Sequence, residues 1–567
     1  MMLKAFFSPK LIFFLFLFFI VKTSFSQDWN WVCGDSTYYE MGDYCNYWDN
    51  QCLAKPSSRS GSATWTDKEG NLWLFGGFGL DLNQEKGFLG DMWKFEISTN
   101  RWNLIGGNTL KNKLSNYGTK GVSSLSNIPS GRWNSFTWTD QLGNFWLYGG
   151  AESLQNTLLE VEKGDLWKFD PTLGMWVFVN GRMEDIYDPV NLLSCYGTIG
   201  VESFTNDPLP RCGQNNPTWV DNDGHLWFFN DSQLWRYNIV TNQWTWMGGG
   251  SIVDNYFILN SRNFGIKGVP NSTNHPGARY YPTSFTDTSG DLWLYGGFYK
   301  DDQNFQESGF LNDLWKYSVQ NKTWTWMNGD SIVDQIENPG VIREFSSESN
   351  PGSRGGASGW IDSLGKFWLF GGRFWIKNLD SSFPLFRNDL WVYDPLINQW
   401  AWMKEPDDLS YVGFYQSKFV PGIQKSPHYR YEASKWKNNK GFWIFGGNTN
   451  WNKLGSLNDL WCFGCDTLKI TDVNSEFEMA NVFTPNGDGI NDFFHPAIAN
   501  GYKITNLEIF NRWGEVVFQS TLETSSWDGK INDRIADSGV YFWKIELLKY
   551  DDASSSKSGY LTLFKSD

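Results

Sequence analysis

Phe285-Thr-Asp-Thr-Ser-Gly-Asp-Leu-Trp-Leu-Tyr-Gly-Gly297 leads through a loop to Asn312-Asp-Leu-Trp-Lys-Tyr317, and a short turn then leads to Trp324-Thr-Trp326. Apolar and polar side chains alternate along each apolar run, which is the period of a β-strand with one face buried. Glycine and aspartate interrupt the alternation where tight turns are expected. Together with the run that precedes the first turn, the stretch predicts one unit of four antiparallel strands.

The same pattern occurs six times along the 567 residues. The tryptophans of the second predicted strands mark the copies and are spaced by 66 to 81 residues, at Trp73, Trp146, Trp227, Trp293, Trp368 and Trp443. The third copy departs from the pattern, because Leu226-Trp-Phe-Phe-Asn230 replaces the Gly-Gly doublet and the following loop is nearly absent. One such sheet cannot cover both of its faces, whereas sheets stacked in a ring cover one another.

The repeated Gly-Gly doublet with its spaced aromatic residues resembles the kelch repeat of galactose-oxidase-like propellers. The resemblance implies an all-β fold in which each copy is one blade. The sixth copy lacks a Trp-x-Trp strand, and Asp28-Trp-Asn-Trp-Val32 matches the fourth strand of the third copy, Gln243-Trp-Thr-Trp-Met247. We therefore predict a six-bladed kelch β-propeller in which the N-terminal strand closes blade six, followed by a small Ig-like β-sandwich.

The seven cysteines lie in a chain predicted to be exported, where disulfides form readily. A bridge between Cys33 and Cys462 would tie the closing strand to the last blade, and Cys465 is the alternative partner of Cys33. The other candidate disulfide cysteines are Cys45, Cys52, Cys195 and Cys212. No pair of CxxC motifs occurs, so no structural metal site is expected.

Four segments divide the chain. Residues 1–26 contain Lys4 and Lys10 before an eleven-residue apolar run, and small residues at the predicted cleavage site, which is typical of a secretory signal peptide. The propeller is predicted over 27–465, a linker over 466–479 and a further domain over 480–567. No other run is long and apolar enough to cross a membrane as a helix.

The last domain contains Val482-Phe-Thr-Pro-Asn-Gly-Asp-Gly-Ile-Asn-Asp-Phe493 and four further motifs in order. It resembles the gliding-motility-associated C-terminal domain, the type B sorting signal of the type IX secretion system in Bacteroidota. The resemblance implies export to the outer cell surface or the medium, with the secretion machinery as partner. The residues assigned to the signal are Pro485, Asn486, Gly487, Asp488, Gly489, Asn491, Asp492, Asn511, Arg512, Trp513, Gly514, Trp527, Asp528, Gly529, Gly539 and Tyr541. Residues Asn486–Asp492 have oxygen-bearing side chains at alternating positions, as in part of a calcium-binding loop, but the bidentate glutamate of an EF-hand is missing. The segment is therefore either a calcium site or a plain turn, and no other cofactor is expected.

Net charge and histidine content disfavour some classes of function. A net charge of −15 disfavours nucleic acid as a partner, because phosphate binding requires a basic field. A galactose-oxidase-like copper site needs two histidines, two tyrosines and a tyrosine crosslinked to a cysteine. Only four histidines are present, His495 lies in the last domain and His225 lies beside a short turn, so the sequence disfavours such a copper enzyme. A hydrolase or lyase acting on carbohydrate through paired carboxylates stays open, because pairing cannot be recognised from sequence.

Two sets of residues are candidates for ligand binding. An arginine precedes every first strand, and a ring of guanidinium groups would suit an acidic partner; the alternative is that each pairs with an aspartate of the Asn-Asp-Leu-Trp motif. These arginines are Arg59, Arg132, Arg211, Arg279, Arg354 and Arg430. Four tryptophans outside the predicted strands are placed to stack on sugar rings or to pack locally. They are Trp48, Trp133, Trp375 and Trp451.

The loops that join second to third strands, and one blade to the next, are long, whereas the other turns are minimal. Long loops are usually functional, so we expect the binding surface on the face that carries them. The sequence thus predicts an exported, non-enzymatic protein that binds a glycan or an acidic partner, with a carbohydrate-active propeller enzyme as the alternative.

Overall fold

The computed structural model describes residues 29–44, 54–153, 160–183, 197–208, 217–253, 256–258, 262–299, 308–375, 384–404, 426–449, 455–465, 477–479, 482–483, 485, 494, 496–498, 502–521, 526–532, 534–549 and 554–563. All regular elements in these ranges are β-strands. None of the described segments forms a helix that could span a bilayer. The predicted signal peptide and most of the predicted linker lie outside these ranges.

Each of the six sequence repeats forms one antiparallel sheet. The first begins with the short strand β2 (Arg59–Ser60), which pairs with β4 (Leu72–Leu80). The strands of the first two sheets are β3 (Ala63–Thr66), β4 (Leu72–Leu80), β5 (Lys86–Glu96), β6 (Arg101–Asn108), β7 (Phe136–Thr139), β8 (Phe145–Tyr148), β11 (Asp165–Asp170) and β12 (Met175–Gly181). A separate hairpin of β9 (Ala151–Ser153) and β10 (Glu160–Glu162) follows β8.

The next three sheets keep the same order. The strands of the third are β13 (Glu202–Ser203), β14 (Thr218–Val220), β15 (Leu226–Asn230), β16 (Gln233–Asn238) and β17 (Gln243–Gly248), with the hairpin β18 (Ser251–Val253) and β19 (Tyr256–Ile258) after it. The fourth and fifth are β20 (Thr283–Thr286), β21 (Leu292–Tyr299), β22 (Gly309–Ser318), β23 (Thr323–Asn328), β24 (Ser358–Ile361), β25 (Phe367–Phe374), β26 (Leu385–Asp394) and β27 (Gln399–Lys404).

The sixth sheet contains the N-terminal strand, as predicted. β1 (Trp29–Cys33) pairs antiparallel with β30 (Leu460–Phe463), and the sheet continues through β29 (Phe442–Phe445) to β28 (Ser434–Lys437). Trp29 is fully buried, with its ring centroid 4.8 Å from that of Phe370 in the fifth sheet. β1 therefore covers apolar surface of two sheets at once.

The disulfide prediction at this seam is wrong. Cys462 is bonded to Cys465, so neither is available to Cys33. The register explains this, because Cys33 lies opposite Leu460 while Cys462 lies opposite Asn30, with an irregularity between Trp31 and Cys33. A hydrogen bond of 3.0 Å from the Asn30 amide to the Cys465 carbonyl joins the strands instead. Cys45, Cys52, Cys195 and Cys212 lie outside the described residues.

The aromatic core lies between the sheets. Separate apolar clusters join the first sheet to the second, the second to the third, and so on to the sixth, and a further cluster joins the sixth to the first. The first strands touch in the same cyclic order, from β3 to β7, β14, β20, β24, β28 and back to β3. The Trp436 indole in the sixth sheet donates a 2.9 Å hydrogen bond to the Trp73 carbonyl in the first.

The C-terminal domain contains β31 (Phe477–Met479), β32 (Val482–Phe483), β33 (Pro496–Ile498), β34 (Tyr502–Phe510), β35 (Val516–Ser520), β36 (Lys530–Ile531), β37 (Arg534–Ile535), β38 (Gly539–Lys549) and β39 (Ser554–Leu563). Five of them form one sheet in the order β32, β39, β38, β34, β35. Phe494, Trp527 and Ala536 cover one face of it. The predicted Ig-like sandwich needs a second large sheet, and the described residues contain only two-stranded pairs beside the first.

Candidate functional site

The five described arginines of the repeated set are buried ion-pair partners. Arg59 is inaccessible to solvent and binds both carboxylate oxygens of Asp91, at 2.6 and 2.8 Å. Arg132, Arg279, Arg354 and Arg430 make the same two-pronged contact with Asp165, Asp313, Asp389 and Asp459. The predicted ring of ligand-binding guanidinium groups is therefore replaced, for these five, by the structural alternative. Arg211 lies outside the described residues.

Each of these pairs also holds the backbone of its sheet. In the second sheet the Arg132 guanidinium donates to the Gly149 carbonyl of the glycine doublet, and the Trp167 indole donates to Asp165. Burial opposes the ionisation of Asp165, but the charge and hydrogen bonds of Arg132, together with the Lys163 charge and the Trp167 hydrogen bond, lower the pKa of that carboxyl. In these five sheets the arginine neutralises a buried aspartate; in the third sheet Gln233 stands at the aspartate position and accepts from the Trp235 indole.

The recurring aspartates in the short turns between first and second strands also have a structural role. Asp67 accepts hydrogen bonds from the Asn71 backbone and from the Trp73 indole, and corresponding residues repeat this contact in the other sheets. In the third sheet, Asp221, Asp223 and His225 come close enough to hold a metal ion. The Asp221 carboxylate is already bonded to the His225 backbone and the Trp227 indole, so this cluster closes a turn.

The described connectors between sheets pack against the sheets themselves. Ser124 pairs with Trp176, and Glu202 with Thr245, so each connector lies along the outermost strand of the next sheet. The Asn127 amide, for example, donates to the Val122 and Trp176 carbonyls. Gly118 is required beneath it, because its φ is +59° and a Cβ there would lie 2.2 Å from the Asn127 oxygen.

The tryptophans proposed for sugar stacking pack inside the protein where they are described. Trp133 is 2% exposed and lies against Phe78 and Phe88. Trp375 is half-buried and makes edge contacts with Phe298 and Phe310. Local packing, the alternative stated above, therefore accounts for both. Trp48 and Trp451 lie outside the described residues.

A different set of aromatic residues lies at the long-loop end of the sheets. Tyr38, which is 43% exposed, bonds through its hydroxyl to Nε2 of His428 at 2.8 Å. The His428 ring lies 4.1 Å from that of Tyr429, and Tyr429 stacks on Phe386 at 5.4 Å with an interplanar angle of 14°. Burial lowers the pKa of His428 to about 4, so this imidazole is neutral near neutral pH.

The row continues into the fifth and fourth sheets. Phe386 also stacks on Tyr431 at 5.5 Å. The Arg373 guanidinium lies between two rings, 4.9 Å from the centroid of Tyr431 and 3.7 Å from that of Tyr281. We call this row the aromatic ladder; its members are Tyr38, His428, Tyr429, Phe386, Tyr431, Arg373 and Tyr281.

The backbone beside the ladder adopts a conformation that bulky residues avoid. Tyr281 has φ +61° and Glu432 has φ +53°, at repeat positions where Gly61 and Gly356 stand in other sheets. A left-handed backbone at a large side chain costs about 1–2 kcal/mol. Such strain often accompanies functional positions, since packing must hold the residue in place.

A second concave site lies where the first strands meet. Strands β3, β7, β14, β20 and β28 line a cavity of about 450 Å³. Its wall contains Lys435, Lys437 and threonines, among them Thr64, Thr137 and Thr218, and includes no acidic residue. Burial lowers the pKa of Lys435 to about 8.

The secretion-signal residues that the structure describes are mostly turn and core residues. Asn511 caps a tight turn by accepting from the Trp513 and Glu515 backbones, and Trp513 is 71% exposed at its tip. Trp527 is buried against Tyr541 at 5.2 Å. Apart from Pro485, the calcium candidate and its neighbours, from Asn486 to Asp492, lie outside the described residues.

Sequence reasoning missed both the ladder and the cavity. The ladder residues come from strand ends and loops of three repeats, and each has a different repeat position. Lys435 and Lys437 could have been recognised from the sequence, because other copies have uncharged residues such as Thr64 and Thr66 at these positions of the first strand. A comparison of the six first strands, residue by residue, would have found them.

The comparisons agree with the C-terminal assignment. Residues 477–563 match the family described as CHU_C Type IX secretion signal domain. No curated protein matches the chain. The solved structure titled "Structure of YjhT" is similar over 72% of this chain and 95% of its own, with 11% identity and a TM-score of 0.40. A fungal alcohol oxidase of the AA5 family in complex with copper is similar over 92% and 99%, with 10% identity and a TM-score of 0.37. Similarity this low carries no argument about fold or activity.

The fold and the matched domain define an all-β protein with repeated sheets and a type IX secretion signal. The chain is therefore exported by the type IX system to the cell surface or beyond, as predicted.

Proposed function

We propose that this is a non-enzymatic carbohydrate-binding protein of the cell surface or medium, built on a closed six-bladed kelch propeller. The propeller spans 27–465 and the export domain follows a linker. The cyclic order of the apolar clusters supports closure, since six sheets that each cover the next leave no aromatic face in water.

The observation that carries the binding role is the aromatic ladder. Its rings run across three sheets at the long-loop end; Tyr38 is 43% exposed beside the polar His428 ring, and Tyr429 and Phe386 are half-buried with part of each ring at the surface. Sugar rings bind to such surfaces through their C–H faces while hydroxyls reach polar neighbours. An acidic partner loses support, because the five described arginines of the set that suggested it are buried and paired.

The test uses the mature full-length chain and soluble polysaccharides in affinity electrophoresis and calorimetry. Tyr38→Ala combined with Tyr429→Ala should weaken binding at least tenfold, because the exposed Tyr38 ring and the half-buried Tyr429 ring are both removed. Tyr560→Ala, which removes a 59% exposed ring in the C-terminal domain, is the matched control and should bind as the parent does.

Two outcomes oppose the proposal. Equal retardation of the double variant and the parent would show that the ladder is not the binding surface. Release of reducing ends from a bound polysaccharide would favour the enzyme alternative.

A further inference from the structure

The cavity between the first strands differs in charge from the rest of the protein. The chain has a net charge of −15, yet the cavity wall contains two lysines and no carboxylate. Alternate residues of the first strands explain the lining: Trp65 and Trp138 point between sheets, while Thr64 and Thr137 face the cavity.

The lysines are not equivalent. The Lys435 ammonium makes no ion pair or hydrogen bond within the described part of the chain; the Lys435 backbone carbonyl accepts a hydrogen bond from the Thr64 hydroxyl at 3.1 Å. Lys437 is exposed, and the charge of Asp362 acts on it, opposing the burial that lowers its pKa. One uncompensated cation therefore remains inside the cavity, at Lys435.

The remaining wall offers hydroxyl groups. The side-chain oxygens of Thr137, Thr139 and Thr218 have no hydrogen-bond partner among the described residues, so they can donate to or accept from a ligand. The indoles of Trp65, Trp138 and Trp436 cannot, because each donates to a carbonyl of the neighbouring sheet. A volume of about 450 Å³ is within the usual range for small-molecule sites.

We propose that this cavity binds a small organic monocarboxylate, with the Lys435 ammonium as counter-ion and the threonine hydroxyls as hydrogen-bond partners. A single uncompensated cation matches one negative charge. A multiply charged phosphate would require more donors than one ammonium supplies. The site is separate from the aromatic ladder, which lies at the long-loop end.

Calorimetry on the mature full-length chain tests the proposal with acetate, lactate and glucuronate, and with glucose as the neutral counterpart of glucuronate. At least one carboxylate should bind at pH 7, and glucose should not. Lys435→Met should reduce the affinity at least tenfold. Lys440→Met changes an exposed lysine in the next turn, outside the cavity wall, and should have no effect.

The pH dependence gives an independent readout. The strands around Lys435 contribute no other titratable group to the cavity wall except Lys437. With a pKa of about 8, Lys435 is charged at pH 7 and mostly neutral at pH 9, so affinity should fall about tenfold between them.

Absence of binding by all three carboxylates would overturn the proposal, as would equal binding of glucose and glucuronate or an unchanged affinity in Lys435→Met. If that variant does not fold, Thr137→Val with Thr218→Val replaces it and should weaken binding severalfold, while unchanged affinity would count against the site. Polysaccharide binding by the ladder should persist in Lys435→Met, which separates the two sites.

Discussion

At the scale of single residues, the recurring arginine is the clearest case of a pattern with two possible meanings. Arg279 donates to both oxygens of Asp313 and to the Gly296 carbonyl, with no exposure of either charged group. A buried pair adds little net stability, but removing one partner leaves a charge in an apolar environment.

Arg279→Met should therefore lower the free energy of unfolding by about 3–5 kcal/mol. Combining it with Asp313→Leu should recover part of the loss, because no unpaired charge remains. Urea unfolding measures both. Arg101→Met, at an exposed position of β6, is the control and should stay within about 0.5 kcal/mol of the parent. A single variant as stable as this control would refute the structural role.

The lowered pKa of His428 implies that the stability of the protein falls at acidic pH. This pKa is about 4 in the folded protein and about 6.5 in an unfolded chain. Between these values the unfolded state binds the extra proton, so stability is present above pH 6.5 and is lost as the pH falls towards 4.

His428→Gln removes this titration and keeps an acceptor for the Tyr38 hydroxyl. Melting temperatures from pH 7 to pH 4 should therefore fall less steeply in the variant than in the parent. The same slope in both proteins would contradict the assignment of a buried neutral imidazole.

At the scale of elements, β1 is the strand whose role the sequence predicted best. The missing Trp-x-Trp of the sixth copy and its match near the N-terminus were enough to place it, since an unpaired sheet edge is unfavourable. The disulfide at the same seam was wrong because pairing depends on register. A one-residue irregularity between Trp31 and Cys33 cannot be read from the strand pattern.

Deleting Trp29 to Val32 should lower the melting temperature and broaden the unfolding transition. The sixth sheet loses its outer strand, and apolar side chains of the fifth sheet that Trp29 covers become exposed to water. Trp29→Ala alone should cost about 3–5 kcal/mol. Trp31→Ala, at a half-buried ring of the same strand, should cost less and serves as the matched comparison. Unchanged melting after the deletion would mean that β1 does not close the sixth sheet.

At the scale of the whole molecule, the secretion signal and the two candidate sites lie in different parts of the chain. The secretion-signal match is confined to residues 477–563, and both candidate sites are formed by residues before 465.

Removing residues 477–567 should leave the protein inside cells of a type IX-competent host while its polysaccharide binding is retained. Fractionation with immunoblotting measures the location, and affinity electrophoresis of the purified truncated protein measures the binding. A variant with Tyr560→Ala, which keeps the domain, should be exported. Export of the truncated protein would show that another segment carries the signal.

The sequence by itself determined the strands, the six repeats, the place of the N-terminal strand and the export signal. These features depend on local alternation, turn residues and repetition, which are properties of neighbouring residues. Only the tertiary structure decided that the repeated arginines are buried, that Trp133 is packed, and that Tyr38, Phe386 and Tyr281 lie in one row. Such outcomes depend on which strand ends meet across sheets and on which charges find partners, and residues far apart in the chain reveal this only after the sheets have packed together.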